Sequence, residues 1–266
     1  MKGQKVRLFP PSDPEISRMF DVPAALLVGG TGTRLRSVLP STPKPLASVG
    51  DMSFLELLVL QLQRQGIRHL VMCTGYLADQ IESAFGDGSE WGVAIEYSRE
   101  EHALGTAGAL KLAQPCLQES SSFLVMNGDS FLEIDFDELI RFHRGHGGLA
   151  SMAVQHVEDA RRYGIVQIGA AGRVVGFCEK TGTDAPGLVN AGVYVFDRAI
   201  FDLVPDGPAS LERDVFPSIL GRGVYALEQR GIFIDIGIPE DYARAQAVCE
   251  QLSDAALRTS QHKARP

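Results

Sequence analysis

The sequence predicts an α/β chain built around one mixed sheet, and three observations carry that expectation. Short apolar runs rich in strand formers alternate with segments of helical periodicity through the first half. The second half turns strand-rich, and helical patterning returns only toward the end. Across the 266 residues, 45% are hydrophobic and 22% charged, enough apolar material for a sizeable core, so disorder, collagen and coiled coil are excluded for the whole.

Residues 1–22 are polar and proline-containing, and 253–266 (SDAALRTSQHKARP) are similar, so both read as extensions around a core of 23–252. Strands are expected at AALLV (24–28), HLVMCT (69–74), VAIEY (93–97) and SFLVMN (122–127). FLELLVLQLQRQ (54–65) is apolar on one face and stops at Gly66, which predicts a helix closed by a glycine. Leu77–Phe85 predicts another. Beyond about residue 148, LASMAVQ, YGIVQI, RVVGFCE and LVNAGVYVF predict successive strands, with helices at Leu211–Leu220 and Pro239–Leu252. No fixed-spacing repeat or low-complexity tract interrupts this pattern. We expect one domain with two functional lobes, the first half of the sheet binding one ligand and the second half another.

Charge and cysteine content narrow the chemistry. With 25 Lys+Arg against 33 Asp+Glu, net −8, the chain is not expected to bind nucleic acid or an anionic membrane. Any phosphate chemistry must then rest on a local cationic pocket. Cys73, Cys116, Cys178 and Cys249 are widely spaced and form no C-x-x-C pair, which argues against zinc and redox motifs and for a reducing, cytoplasmic compartment. The N-terminus lacks the apolar stretch of about 7–15 residues of a signal peptide. No apolar run reaches the roughly 18–20 residues of a membrane span.

The segment after the first strand, GGTGTRLRSVLPSTPKPL, carries the strongest chemical signal. Gly29, Gly30 and Gly32 let successive backbone N–H groups converge on phosphate oxygens. Arg34 adds a planar fork of donors, and Lys44 a compact charge stiffened by Pro43 and Pro45. A plain tight turn is the structural alternative for the glycines. The dinucleotide fingerprint fails because Leu35 stands where its third glycine belongs, and the P-loop pattern fails for want of Gly-Lys-Ser/Thr.

Asp129 in NGDSF (127–131) falls just beyond an apolar strand, at the ligand-binding edge of an open α/β sheet. Asp235 in FIDIGIPEDY (233–242) interrupts an apolar run, where a carboxylate is costly to bury unpaired. Each alone reads first as a turn former or helix cap. Together they suit Mg²⁺, which takes one or two protein carboxylates with substrate phosphates and water. Glu240 and Asp241 read as helix first-turn acids. Glu179 and Lys180, closing RVVGFCEK (173–180), read on composition as a solvated strand end. In RYGIV (162–166), Gly164 permits close backbone approach, and Asn190 offers a donor and an acceptor. Thr106 in LGTAGAL (104–110) could cap a helix. His143 and His146 are expected in a glycine-rich loop, and Trp91 as packing or a loop anchor.

GGTGTRL at 29–35 with PKPL at 43–46 resembles the signature of the sugar-1-phosphate nucleotidylyltransferases. The likeness spans most of 24–246, and RYGIV, GLVNAGVYVF and FIDIGIPEDY are most similar to the D-glycero-α-D-manno-heptose 1-phosphate guanylyltransferases. Ser37, Val38 and Leu39 depart from the Pro-Leu-Thr of many members. The resemblance implies a Rossmann-like nucleotidyltransferase fold with a mixed, mostly parallel sheet flanked by helices. It implies a nucleotide site of Leu27, Gly29, Gly30, Gly32, Thr33, Arg34, Lys44, Gly105, Thr106 and Asp129. It implies a sugar-phosphate site of Tyr163, Gly164, Glu179, Lys180 and Asn190, with Mg²⁺ on Asp129 and Asp235. Arg34, Lys44, Asp129, Lys180 and Asp235 would then carry catalysis, joining GTP to heptose 1-phosphate. Mannose- and glucose-1-phosphate nucleotidyltransferases and a non-catalytic nucleotide-sugar-binding homologue are the alternatives, and a homo-oligomer is left open.

Overall fold

Four apolar residues, Ala24–Leu27, form β1, and the sheet is organised around it. The computed structural model describes residues 22–35, 38–178 and 185–259; of the extensions expected at 1–22 and 253–266, residues 1–21 and 260–266 lie outside these, as does Ser37. After β1 come a hairpin of β2 (Ser48–Val49) and β3 (Met52–Ser53), α1 (Phe54–Arg64), β4 (His69–Thr74), α2 (Ala78–Phe85) and β5 (Ala94–Arg99). Next are α3 (Gly105–Leu112), α4 (Gln114–Leu117), β6 (Ser122–Asn127), β7 (Ser130–Leu132) and α5 (Phe136–His146). The strand-rich half holds β8 (Ala150–Val157), β9 (Ile165–Ile168), β10 (Val174–Cys178) and β11 (Gly187–Asp197). The chain closes with α6 (Phe216–Ile219), β12 (Val224–Gln229), β13 (Phe233–Asp235), α7 (Pro239–Ala247) and α8 (Cys249–Ala256).

The nine-stranded sheet runs β10-β9-β11-β6-β1-β4-β5, with β8 pairing β11 and β12. β1 is parallel to β4 and β6, and β4 to β5. β11 is antiparallel to β6, β8 and β9, while β12 is parallel to β8 and β10 antiparallel to β9. Only β11 and β10 therefore oppose the common direction, and the sheet is mixed and mostly parallel, as expected. Residues alternate between its faces: Ala24 and Leu26 of β1 join the core under α1, α5 and α8, whereas Ala25 joins the core under α3 and α6. Burial on both faces explains why β1 and β6 read as unbroken apolar runs.

α1 begins with a capping box: Ser53 Oγ accepts from Glu56 N at 3.2 Å, and Ser53 N donates to Glu56 Oε2 at 2.5 Å. It ends before Gly66, whose φ of +86° closes the helix. Its buried glutamines reach across the core. Gln61 Nε2 donates to Leu132 O at 2.7 Å, Gln65 Nε2 to Ile134 O at 2.8 Å, and Phe136 N donates back to Gln65 Oε1 at 2.9 Å. The chain leaving β7 is thereby tied down beside the carboxyl end of β6.

Three expectations need correction. The helix foreseen over Leu211–Leu220 is split into a π-turn (Leu211–Val215), α6 and a 3-10 turn, because Pro217 removes a backbone donor inside the segment. The helix foreseen over Pro239–Leu252 is broken at Val248 (φ −116°, ψ 20°), and its second half continues to Ala256, burying Ala255 and Ala256 beyond the expected boundary at 252. His143 and His146 lie in the last turns of α5, which stops only at Gly147 (φ +62°), rather than in a loop. His146 packs 4.3 Å from the Phe142 ring and 4.4 Å from Tyr225, and Trp91 lies 5.2 Å from Phe85. Among the described residues no helix is long and apolar enough to cross a membrane.

His143 is buried, with Nδ1 3.1 Å from Ser151 Oγ, and burial pushes its imidazole down to about 4. Its folded value lies below the unfolded one, so the unfolded chain takes up the proton first and stability falls as pH drops from about 6.5 toward 4. Urea unfolding at pH 8 and pH 5 should show this term as about 2 kcal/mol lost at pH 5, present in the parent and missing from His143→Gln. Equal pH dependence in the two proteins would contradict it.

Candidate active site

The carboxyl ends of β1, β4 and β6 converge on two adjoining cavities, the edge at which open α/β sheets take ligands. After β1 the chain bends through Gly29–Gly32 into a 3-10 turn, Thr33–Leu35. Gly32 adopts φ +57° against the Lys44 side chain, a conformation that strains any residue with a Cβ. Leu35 is buried and anchors the turn, which leaves Arg34 exposed at the cavity mouth.

Lys44 opens a second 3-10 turn between Pro43 and Pro45, and only 10% of its side chain is exposed. Its Nζ lies 2.5 Å from Asp129 Oδ2. Asp129 follows β6, and β7 pairs antiparallel with β13 so that Asp235 is in register with Ser130. Ile236 N donates to Asp129 O at 2.9 Å, which draws the two aspartates together. Burial opposes ionisation of Asp129, but the charge and hydrogen bond of Lys44, aided by Ser130 and Arg34, hold its carboxyl below the ordinary range. Asp235 goes the other way: burial, then the charge of Asp129, push it up to about 6 against the pull of Lys44 and of the Gly237 N–H at 2.5 Å. Two carboxylates that resist joint ionisation form a donor set suited to a hard divalent cation whose remaining ligands are phosphate and water oxygens. Among the described residues there is no cluster of three or more metal-binding side chains.

The larger cavity, about 430 Å³, is lined by Leu27, Gly29, Gly30, Gly32, Thr33, Arg34, Lys44, Gly105, Thr106 and Asp129, the ten residues expected at the nucleotide. The smaller, about 220 Å³, is lined by Tyr163, Gly164 and Asn190 together with Asp235. Arg34, Asn127, Asp129 and Gly237 border both. Glu179 and Lys180 lie outside the described residues.

Thr106 does not cap α3, whose N-cap is Leu104. Its hydroxyl instead donates to Glu212 Oε2 at 2.9 Å and accepts from Leu211 N at 2.8 Å, latching the π-turn to the cavity wall. Gly105 (φ +71°) makes this docking feasible, since a Cβ there would stand 2.5 Å from Ala209 O. Asn190 is engaged within its strand: Nδ2 donates to the Tyr194 hydroxyl at 2.7 Å, and Oδ1 accepts from Gly192 N at 3.1 Å.

Sequence reasoning did not single out Glu100, Asn127, Arg162 and Glu212, which also line these cavities, and it read Asp241 only as a first-turn acid. Asn127 borders both cavities, and its Oδ1 is buried without a hydrogen-bond partner among the described residues. Glu100 accepts from Leu104 N at 3.0 Å, and burial raises its carboxyl. Asp241 does begin α7, but its carboxylate is also paired with Arg162. Asn127, Arg162 and Asp241 fall inside NGDSF, RYGIV and PEDY, so the motifs marked their neighbourhoods; Glu100 and Glu212 had no comparable signal.

The family model described as nucleotidyl transferase matches residues 24–251. The chain belongs to the nucleotidyl transferase family. Among its relatives is the mannose-1-phosphate guanylyltransferase of Mycobacterium tuberculosis, 38% identical over 230 residues that cover 85% of this chain and 64% of that protein. The mannose-1-phosphate guanylyltransferase catalytic subunit beta of Xenopus tropicalis is 36% identical over 223 residues, 82% of this chain and 62% of that one. The chain thus spans less than two thirds of the length of these curated relatives. A solved structure of HddC from Yersinia pseudotuberculosis complexed with GMP-PN superposes with a TM-score of 0.76 at 32% identity, covering 85% of this chain and 98% of that one.

The strain between the aspartates is measurable. The folded value of Asp235 lies above its unfolded value, so its charge costs stability above about pH 6, and the cost fades as pH falls below that. Asp235→Asn, which can keep the Gly237 hydrogen bond, should therefore stabilise the protein by about 1–3 kcal/mol at pH 8 without added divalent cation, and by much less at pH 4.5. Urea titrations at the two pH values check this; a destabilised variant at pH 8 would contradict the reading.

Proposed function

We propose that this chain is a sugar-1-phosphate guanylyltransferase, transferring GMP from GTP to a manno-configured sugar 1-phosphate with release of pyrophosphate. The observation that carries this reading is the junction of the two cavities, where Arg34 and Asp129 border both and Lys44 and Asp235 stand alongside. A triphosphate in the larger cavity and a sugar phosphate in the smaller one would meet there.

The attacking group is already an anion, so the reaction needs no general base. A sugar-phosphate oxygen bonds to the α-phosphorus of GTP as the bond to the β-phosphate oxygen breaks, and pyrophosphate leaves. The difficulty is bringing two polyanions together. Lys44 and Arg34, with the N–H groups of the glycine loop, offset charge on the triphosphate and on the departing pyrophosphate. The walls hold the reactants in line. Asp129 and Asp235 would hold Mg²⁺, which when bound supplies further neutralisation of phosphate charge. By resemblance, Lys180 would meet the sugar phosphate and Glu179 the sugar hydroxyls.

Support for guanine comes from the mannose-1-phosphate guanylyltransferases and from the GMP-PN complex of HddC. For the sugar, we favour D-glycero-α-D-manno-heptose 1-phosphate, on RYGIV, GLVNAGVYVF and FIDIGIPEDY. Mannose 1-phosphate is the second reading, favoured by the identity to guanylyltransferases of that name. A cytoplasmic location accords with use of GTP.

Pyrophosphate release with four nucleoside triphosphates against heptose, mannose and glucose 1-phosphates tests the proposal. GTP with a manno-configured sugar should give the highest rate, and nucleotide-sugar binding without turnover of any pair would favour the non-catalytic alternative. Asp129→Asn should lower kcat by about 100-fold or more while the protein remains folded by circular dichroism. Lys180→Ala should raise KM for the sugar phosphate far more than for GTP.

A further inference from the structure

The smaller cavity is lined by four acids, Asp129, Glu212, Asp235 and Asp241, and by two arginines, Arg34 and Arg162. A sugar 1-phosphate entering it is strongly anionic and has to meet positive charge. Arg34 also borders the larger cavity, which leaves Arg162 as the arginine of the smaller cavity alone among the described residues.

Arg162 is held rather than free. Its Nη2 lies 2.6 Å from Asp241 Oδ2, and the Asp241 side chain is only 7% exposed. Arg244 approaches the other oxygen of Asp241 at 3.3 Å, so this carboxylate is shared by two guanidinium groups and the cluster keeps a net positive charge. A guanidinium carries five N–H donors, more than one carboxylate oxygen can take, and a planar fork held in place loses little freedom on binding phosphate. The neighbouring Arg161 is engaged elsewhere: its Nε and Nη2 reach Asp159 at 2.9 and 2.6 Å, outside the cavity lining.

Position assigns the target. Arg162 borders the same cavity as Asp235 and Asp129, where the sugar phosphate must approach the α-phosphorus. Resting on the transferase reading above, we propose that Arg162 binds the phosphate of the sugar 1-phosphate, with Asp241 as a positioning residue that acts through it. Asp241 then has a role beyond its place in the first turn of α7.

Steady-state kinetics of Arg162→Ala, Arg162→Lys, Asp241→Asn, the double variant and Arg161→Ala would test this, with calorimetric titration of mannose 1-phosphate and of unphosphorylated mannose. Arg162→Ala should raise KM for the sugar 1-phosphate about 10–100-fold and leave KM for GTP within about twofold, with partial recovery in Arg162→Lys. Asp241→Asn should shift the same constant by about 3–10-fold, and the double variant should be no worse than Arg162→Ala. Arg161→Ala should match the parent. In the titrations, the advantage of mannose 1-phosphate over mannose should shrink in Arg162→Ala. An unchanged sugar-phosphate KM, or an equal rise in both KM values, overturns the proposal. If the parent releases no pyrophosphate yet binds mannose 1-phosphate in an Arg162-dependent way, the transferase reading falls and this one stands. Normal turnover that ignores Arg162 has the opposite meaning.

Discussion

Two half-buried carboxylates, Asp129 and Asp235, stand near enough for the charge of one to raise the other, and a single lysine bonds to only one of them. Lys44 pairs with Asp129 at 2.5 Å, and Asp235, which lacks that bond, is pushed up to about 6. Such an arrangement is unfavourable for an empty fold and favourable for one that receives cationic charge. Much of the surrounding architecture serves to impose it: β7 against β13 sets the register, and Gln61 and Gln65 of α1 fasten the chain that follows β7.

The walls of the two cavities are likewise one hydrogen-bonded piece. Ala107 N donates to Ala209 O, Ala209 N to Leu104 O, and Thr106 joins Glu212 and Leu211. Glu212 borders the smaller cavity and Thr106 the larger, so their hydrogen bond joins the two walls. The π-turn at Leu211–Val215 is an uncommon geometry that tends to occur where function sets the backbone, and here it puts Glu212 at the cavity edge.

Despite a net charge of −8, the protein gathers cations at the two cavities, which is what the proposed polyphosphate chemistry requires. Lys44 is nearly enclosed, Arg34 stands between the cavities, and Arg162 is oriented by a buried acid. Enclosure strengthens the charge of Lys44 relative to bulk water, and local placement of this kind matters more inside a cavity than the sign of the whole surface.

Local pattern was enough to read β4 and β6 to the residue, to set the start of α1, and to mark the glycine loop, because an apolar period, a cap and a left-handed glycine are properties of a few neighbouring residues. It failed where distant parts decide: Pro217 broke a helix that periodicity favoured, and α5 carried His143 and His146 despite Gly145. The sequence by itself determined the α/β class and marked the glycine loop, Arg34 and Lys44, which line the larger cavity. Only the tertiary structure decided that Thr106 latches Glu212 instead of capping α3, that Glu100 and Asn127 line the larger cavity, and that Arg162 meets Asp241. Those pairings join residues 79 to 106 positions apart, and an ion pair or hydrogen bond at that separation leaves no periodic trace in the chain.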